Sequence, residues 1–266
     1  YSSGIFLQYG STKSNRDKPL DSQELFKEEN FFKKRIHWTL GQQIYTPIGR
    51  YDSITTNMDY PFSGYLFLER AVSKTLKNKG VFRWSAQLGI LSTPLQNTYH
   101  KHILGLPPLS WVGQQAGNMH LGILGQYSHY ISLSQKRHIS YQLQSQWGTH
   151  SSQSSLSTGL HLGHLDPMVF YSEAFNNSQK NGFGGYIGIQ YQYHFQDYNL
   201  SGSLFENSSP FTLPSNSFRN TWLAGVGYQA NKWQFLAIAK ARSKDTPRQK
   251  YKRHQVLYIS ILRQLD

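Results

Sequence analysis

Between residues 93 and 118 the sequence TPLQNTYHKHILGLPPLSWVGQQAGN brings imidazole, amide and indole groups into one stretch: Asn97, His100, His102, Trp111 and Gln115. It is the longest run between two strand signals that carries titratable, amide and aromatic residues together. Imidazole titrates near neutrality, so a histidine here can take a proton from water and turn it into a nucleophile without a covalent intermediate. The plainer role for either histidine is to hydrogen-bond its loop neighbours. What decides between the two is the scaffold that holds the stretch.

That scaffold reads as β-structure. Tyrosine (18) and glycine (22) are abundant, only 15% of residues are charged, and methionine (3) is nearly absent. No cysteine is present, so neither a disulfide framework nor a thiolate metal site is available, which suits an envelope protein. No run approaches the roughly 18 apolar residues of a membrane-spanning helix. No charged, apolar, small-residue leader opens the chain, so an exported protein would already have lost its signal.

The net charge of +13 calls for an anionic partner or surface. Nucleic acid is the usual reading, but the cations fall largely between strand candidates, as in Lys74, Lys77 and Lys79, or Lys244, Arg248, Lys250, Lys252 and Arg253. A phosphate-rich membrane surface explains that placement at least as well, and no nucleic-acid partner is expected.

Alternation recurs along the whole chain. Over 137–149 one face reads Ile139, Tyr141, Leu143, Ser145 and Trp147, and the other Ser140, Gln142, Gln144 and Gln146. Over 183–195 Phe183, Ile187, Ile189, Tyr191, Tyr193 and Phe195 oppose Tyr186, Gly188, Gln190, Gln192 and His194. Residues 81–91 and 155–163 repeat the pattern. These segments run to about 10–14 residues, longer than the roughly 5–6 of globular strands. Length therefore favours a transmembrane barrel with a wet, Gln- and Ser-rich lumen over a soluble β-sandwich.

Strands are expected near 3–9, 35–46, 62–72, 81–92, 119–133, 138–149, 155–165, 183–195, 219–229, 233–242 and 254–264, with 197–206 a doubtful extra. Short connections fall on one side, and most long ones (46–61, 93–118, 196–218, 243–253) on the other, the extracellular side of such a barrel. Residues 10–34 and 166–181 break the rule as enlarged periplasmic turns, the first of them a short helix or a mobile segment. Eleven strands starting outside is an odd topology where even counts prevail. The expectation is therefore one all-β domain over 1–266: a transmembrane antiparallel up-and-down barrel of about 12 strands, the first of them upstream of this chain.

Four segments carry a family resemblance. Tyr1-Ser2-Ser3-Gly4 precedes IFLQYG, and Gln43-Ile44-Tyr45-Thr46-Pro47 ends a strand. Asp59-Tyr60-Pro61-Phe62-Ser63-Gly64 opens the next. Leu88-Gly89-Ile90 is followed by Thr93-Pro94, Gln96-Asn97-Thr98-Tyr99-His100, Gly105, Trp111 and Gln115. No single motif is specific, but in this order within one barrel pattern they resemble the outer-membrane lipid A 3'-O-deacylases, calcium-dependent twelve-stranded barrels. The likeness covers residues 1–118; the last strands match in general character only.

The resemblance implies an enzyme of the Gram-negative outer membrane, acting as a monomer, that removes an ester-linked acyloxyacyl chain from the lipid A of lipopolysaccharide. His100 takes the place of the family's proposed general base. The spacing Gln-Asn-x-x-His selects His100, while counting back from Gly105 leaves one extra residue, so His102 stays the competitor. Ser2 matches an active-site threonine and keeps its hydroxyl. Arg50 is the nearest cation to the place of a family lysine, although arginine is no simple substitute for lysine. A solvated loop arginine is the equal alternative. Asn97 orients His100 or caps a turn, Trp111 and Gln115 shape the loop or the acyl groove, and Asp59 accepts backbone hydrogen bonds at a strand entry. Calcium is implied as cofactor, but the family's metal-binding aspartate would lie upstream of Tyr1, and no acidic cluster elsewhere supplies hard oxygen ligands. Two other readings remain: an inactive lipopolysaccharide-binding or structural barrel, and a small porin-like protein.

Overall fold

The computed structural model describes residues 3–14, 31–48, 50–51, 54–76, 80–91, 101–102, 105, 109–170, 181–205 and 209–265. Among the described residues eleven strands follow one another: β1 (Ser3–Ser14), β2 (Phe31–Tyr45), β3 (Ser63–Leu76), β4 (Val81–Leu91), β5 (Met119–Ser134) and β6 (Arg137–Gly148). They continue with β7 (Ser151–Gly163), β8 (Gly182–Asp197), β9 (Phe218–Ala230), β10 (Trp233–Ser243) and β11 (Arg253–Arg263). All lie in one antiparallel sheet in sequence order, which curls into a barrel. At its two edges Phe6 of β1 and Tyr258 of β11 face each other with ring centroids 6.5 Å apart.

The polarity is that of a membrane barrel. Leu143, Trp147, Ile187, Tyr191, Phe195, Trp222, Val226, Leu257, Ile259 and Ile261 are exposed on the outside. Ser140, Gln142, Ser157, Tyr186, His194 and Arg219 are buried inside. Water would not tolerate an exposed apolar belt of this extent, whereas hydrocarbon requires it. The soluble sandwich is thereby excluded, since a sandwich would bury these same residues between two sheets.

Several details differ from expectation. β1 runs on to Ser14 and β2 begins at Phe31, and the ladder holds from Ser3 opposite Ile44 to Ser14 opposite Lys33. β7 begins at Ser151, with Ser152 opposite Gln196 and Gln153 opposite Gln146. Ser11–Ser14 and Ser151–Ser154 are polar on both faces and Phe31-Phe32-Lys33-Lys34 pairs like with like, so alternation cannot announce these extensions; neighbouring strands impose them instead. The described residues 198–205 form no further strand: Tyr198–Ser201 is a single helical turn, stopped by Gly202 at φ +73°. Lys74 and Arg253 lie within strands rather than between them.

The 166–181 connection is more than an enlarged turn. Its described part, around the 3-10 turn Pro167–Phe170, folds back into the lumen, where Leu165 and Val169 pack with Leu236, and Phe170 lies against them. Phe170 also stacks on Tyr186 at 5.3 Å. Gly227 makes room for this plug, because a Cβ there would lie 2.5 Å from Leu165 Cδ2 and 2.7 Å from Leu236 Cδ2. The segment 15–30, expected as a helix or mobile, lies outside the described residues.

Candidate functional site

The long connections gather at the end of the barrel opposite the plug. The loop leading into β5 is tied there by its backbone and by one side chain. Gln115 N donates to Phe62 O at 2.9 Å, and Ser110 N and Oγ each lie 3.3 Å from Arg50 O. Gln115 Nε2 then donates to two carbonyls, Asn199 O at 3.1 Å and Phe211 O at 3.0 Å. Three connections, after β2, β4 and β8, are thus fastened to one another.

Apolar side chains fill the space between them. Met58, Phe62 and Leu109 form a buried cluster on which Trp111, Val112 and Phe211 pack. Trp111 sits at φ +52°, uncommon for a bulky residue, and its ring lies 5.1 Å from that of Phe62. Tyr60, Leu200 and Leu213 form a second cluster. Tyr45 stacks on Tyr60 at 5.8 Å.

Beneath these loops lies a cluster that sequence reading missed. Tyr65 stacks face to face on His150 at 3.8 Å, and the His120 ring meets Tyr198 edge-on at 4.4 Å. His120 Nδ1 is 3.2 Å from Thr149 Oγ1. Asn199 Oδ1 accepts from Ser63 Oγ at 2.6 Å and lies 3.3 Å from His150 Nε2. Asn118 Nδ2 donates to Tyr198 OH, which donates to Ala116 O. The last residues before β5 are therefore bolted to the barrel wall. Burial, followed by the neighbouring His120, pushes the His150 imidazole down to about 4, so it is neutral at pH 7.

A buried ion-pair chain secures the other half of the mouth. Arg219 bridges Asp197 (2.8 Å) and Asp245 (3.1 Å), and Arg242 holds the second oxygen of Asp245 at 2.8 Å. Burial raises the Asp245 carboxyl, but Arg242 and Arg219 outweigh it and hold the group below the usual carboxylate range. Burial and then the Asp197 and Asp245 charges push the Tyr60 phenol well up. Acidic and basic residues at inward positions of strand ends, in a chain with few charges, were the available signal for this network.

Among the expected site residues, His100, Asn97 and Ser2 lie outside the described residues. His102 is exposed. The Arg50 guanidinium sits over the Tyr51 ring at 5.1 Å, on the loop whose carbonyl receives Ser110. Gln115 is 1% exposed with its amide nitrogen donating to two carbonyls, which ties the loop in place. Trp111 likewise packs inward as part of the loop's apolar anchor. Asp59 does what its place suggests, accepting Ile48 N at 2.9 Å.

The lumen below is a cavity of about 490 Å³ lined by Gln87, Gln126, Gln142, Gln144, Gln190 and Gln192 among others. The Leu165–Phe170 plug fills one end, and Tyr60, Tyr198 and Leu200 lie fully buried at the other. An open aqueous channel of porin type does not fit this arrangement.

Calcium finds no match here. Among the described residues no group of three or more His, Asp or Glu converges. Asp197 and Asp245 already face arginines rather than an open cradle, and calcium needs several hard oxygens at once.

The geometry agrees with comparison to known proteins. The model of the family described as "Outer membrane protein LpxR" matches residues 1–264. The solved structure of LpxR from Salmonella typhimurium is similar with a TM-score of 0.72 and 14% sequence identity. That match covers 96% of this chain and 86% of the other, and at such identity it shows a shared fold. No curated protein sequence matches the chain. With the family model spanning nearly every residue of an eleven-stranded, outwardly apolar barrel, the chain belongs to the LpxR family of outer membrane proteins.

Proposed function

We propose that this barrel is a lipid A deacylase: a hydrolase that removes the 3'-linked acyloxyacyl chain from lipopolysaccharide in the outer leaflet. The observation that carries the reading is the family match over residues 1–264, on a barrel whose connection before β5, the one that includes the candidate base, is tied at Ser110 and Gln115 to the connections after β2 and β8. In this reading His100, with His102 as competitor, removes a proton from water as that water attacks the ester carbonyl. Ser2 assists and Arg50 contacts a lipid phosphate or the developing oxyanion. Asn97 orients the imidazole. Calcium, which the family resemblance implies, would have to be held by oxygen ligands outside the described residues, where it would supply positive charge for the developing oxyanion.

Mass spectrometry of lipid A from cells with and without the full-length protein tests this. The expected result is loss of one acyloxyacyl group, abolished by His100→Ala, kept in His102→Ala and sensitive to calcium chelation. Unchanged lipid A in cells that hold a folded barrel would leave a lipopolysaccharide-binding or structural role instead.

A further inference from the structure

The connection between β10 and β11 is basic, and its structure sorts its cations into two groups. Arg248 donates to Thr56 O and lies over the Phe211 ring at 5.9 Å. Arg253 donates to Asn220 Oδ1 and Ala241 O. Both are committed to structure. Lys244, Lys250 and Lys252 are not: among the described residues no carboxylate lies in ion-pair contact with any of them, and Lys250 and Lys252 are exposed.

The one acid of this connection is withdrawn from them. Asp245 is 1% exposed and faces Arg219 and Arg242. Asp245 N donates to Gln249 Oε1 at 2.6 Å, Asn216 N to Asp245 O at 2.7 Å, and Asn216 Nδ2 to Lys244 O at 3.0 Å. The loop backbone is therefore set in place before any ligand arrives, with its negative charge turned inward, Lys250 and Lys252 exposed and Lys244 half-buried beside them in the chain. A backbone ordered in advance lowers the entropy lost when its lysines bind.

Position identifies the occupant. Leu257, Ile259 and Ile261 form the lipid-facing column of β11. Continuing the same column upward by twos gives Gln255 and Arg253, where the strand begins, with Tyr251 in the bend just before it. Tyr251 is exposed and stands between Lys250 and Lys252, the combination of amphipathic ring and long cations that marks a headgroup layer. At about 3.3 Å per residue, Arg253 lies roughly 13 Å along the strand from Leu257, beyond the apolar belt.

We propose that Lys244, Lys250 and Lys252 form a preset phosphate-binding platform on the outer rim, which holds the phosphorylated headgroup of an outer-leaflet glycolipid beside the candidate site. It adjoins that site through Arg248, which bonds the 54–57 turn and covers Phe211, the residue packed with Trp111. The proposal deepens the lipid A reading and rests on it for the identity of the lipid. The attraction is one of charge, so it weakens with salt.

Titration of the detergent-solubilised full-length protein with bisphosphorylated lipid A, and with the same lipid stripped of both phosphates, tests it. The Lys244→Gln/Lys250→Gln/Lys252→Gln protein is compared with Lys136→Gln/Arg137→Gln on the opposite rim. The triple variant is expected to bind the phosphorylated lipid roughly tenfold more weakly, with the stripped lipid and the opposite-rim variant unaffected. Equal affinity for both lipids, or parental binding by the triple variant, overturns the platform. Because binding is read without turnover, a barrel that binds through these lysines yet removes no acyl chain keeps the platform and sinks the hydrolase. An active enzyme whose KM ignores the triple substitution does the reverse.

Discussion

Gln115 and Asn199 stand 84 positions apart in the chain, and the amide of the first donates to the backbone carbonyl of the second at 3.1 Å. Through this contact the loop before β5 and the helical turn after β8 become one layer across the mouth of the barrel. Asn199 passes the connection on to Ser63 and His150 with its own side chain.

Removing that amide should loosen the layer without dismantling the barrel. Gln115→Ala leaves the Asn199 and Phe211 carbonyls buried without their donor, at a cost of about 2 kcal/mol. The expected outcome is faster proteolysis within 93–118 and reduced deacylation, with the heat-modifiable gel shift of the folded barrel retained. Parental protease resistance in the loop would show that the bonds to Gln115 do not hold it.

Asp245→Asn strikes the other half of the mouth. It leaves Arg219 and Arg242 buried or half-buried with one charge fewer between them, which costs about 3 kcal/mol. The same group sets an acid limit. Its carboxyl is held below the ordinary value when folded, so its contribution is present at neutral pH and lost as pH falls through the folded pKa. Thermal unfolding in detergent should show a lower midpoint for the variant at neutral pH, and a gap from the parent that narrows in acid.

His150 predicts a second pH effect, at milder acidity. With its folded value near 4 against an ordinary 6.5, the unfolded chain binds a proton between these limits that the folded barrel refuses. Stability therefore falls as pH drops from about 6.5 towards 4, by on the order of 3 kcal/mol at the lower end. His150→Phe keeps an aromatic ring against Tyr65 and cannot titrate, so its midpoint should change less over that window. Parallel pH profiles for the two proteins would refute the assignment.

The plug offers a test by conductance. Gly227→Val places side-chain atoms where Leu165 and Leu236 already meet, an overpacking worth about 1–3 kcal/mol. The expected response is displacement of the Leu165–Phe170 segment from the lumen, since the ladder of β9 with β8 and β10 is far more extensive than the plug's contacts. Single-channel recordings in planar bilayers should then show openings that the parent lacks; silence from a folded variant would mean that the plug stays.

Much of the architecture could be read from residue order. The alternation of Leu143 and Trp147 with Gln142 and Gln146 declares a strand with one wet and one lipid-facing side, and strand length separates a membrane barrel from a sandwich. The motif around Asp59 also reads correctly, because its carboxylate acts within its own connection, on Ile48. Where both faces are polar, as at Ser151–Ser154, the signal vanishes and only the partner strands decide.

Residue order specifies the sheet, its inside and outside, and which connections are long, because each depends on a pattern of period two or on turn chemistry local to the chain. Three-dimensional packing set the rest: that Gln115 ties the loop before β5 to the connection after β8, that His120, His150 and Tyr65 meet, that Asp245 turns inward and leaves Lys250 and Lys252 uncompensated, and that Leu165–Phe170 fills one end of the lumen. Each of these joins residues on different connections, and which connections share an end of the barrel, and at what depth, is set by the curl and register of the whole sheet.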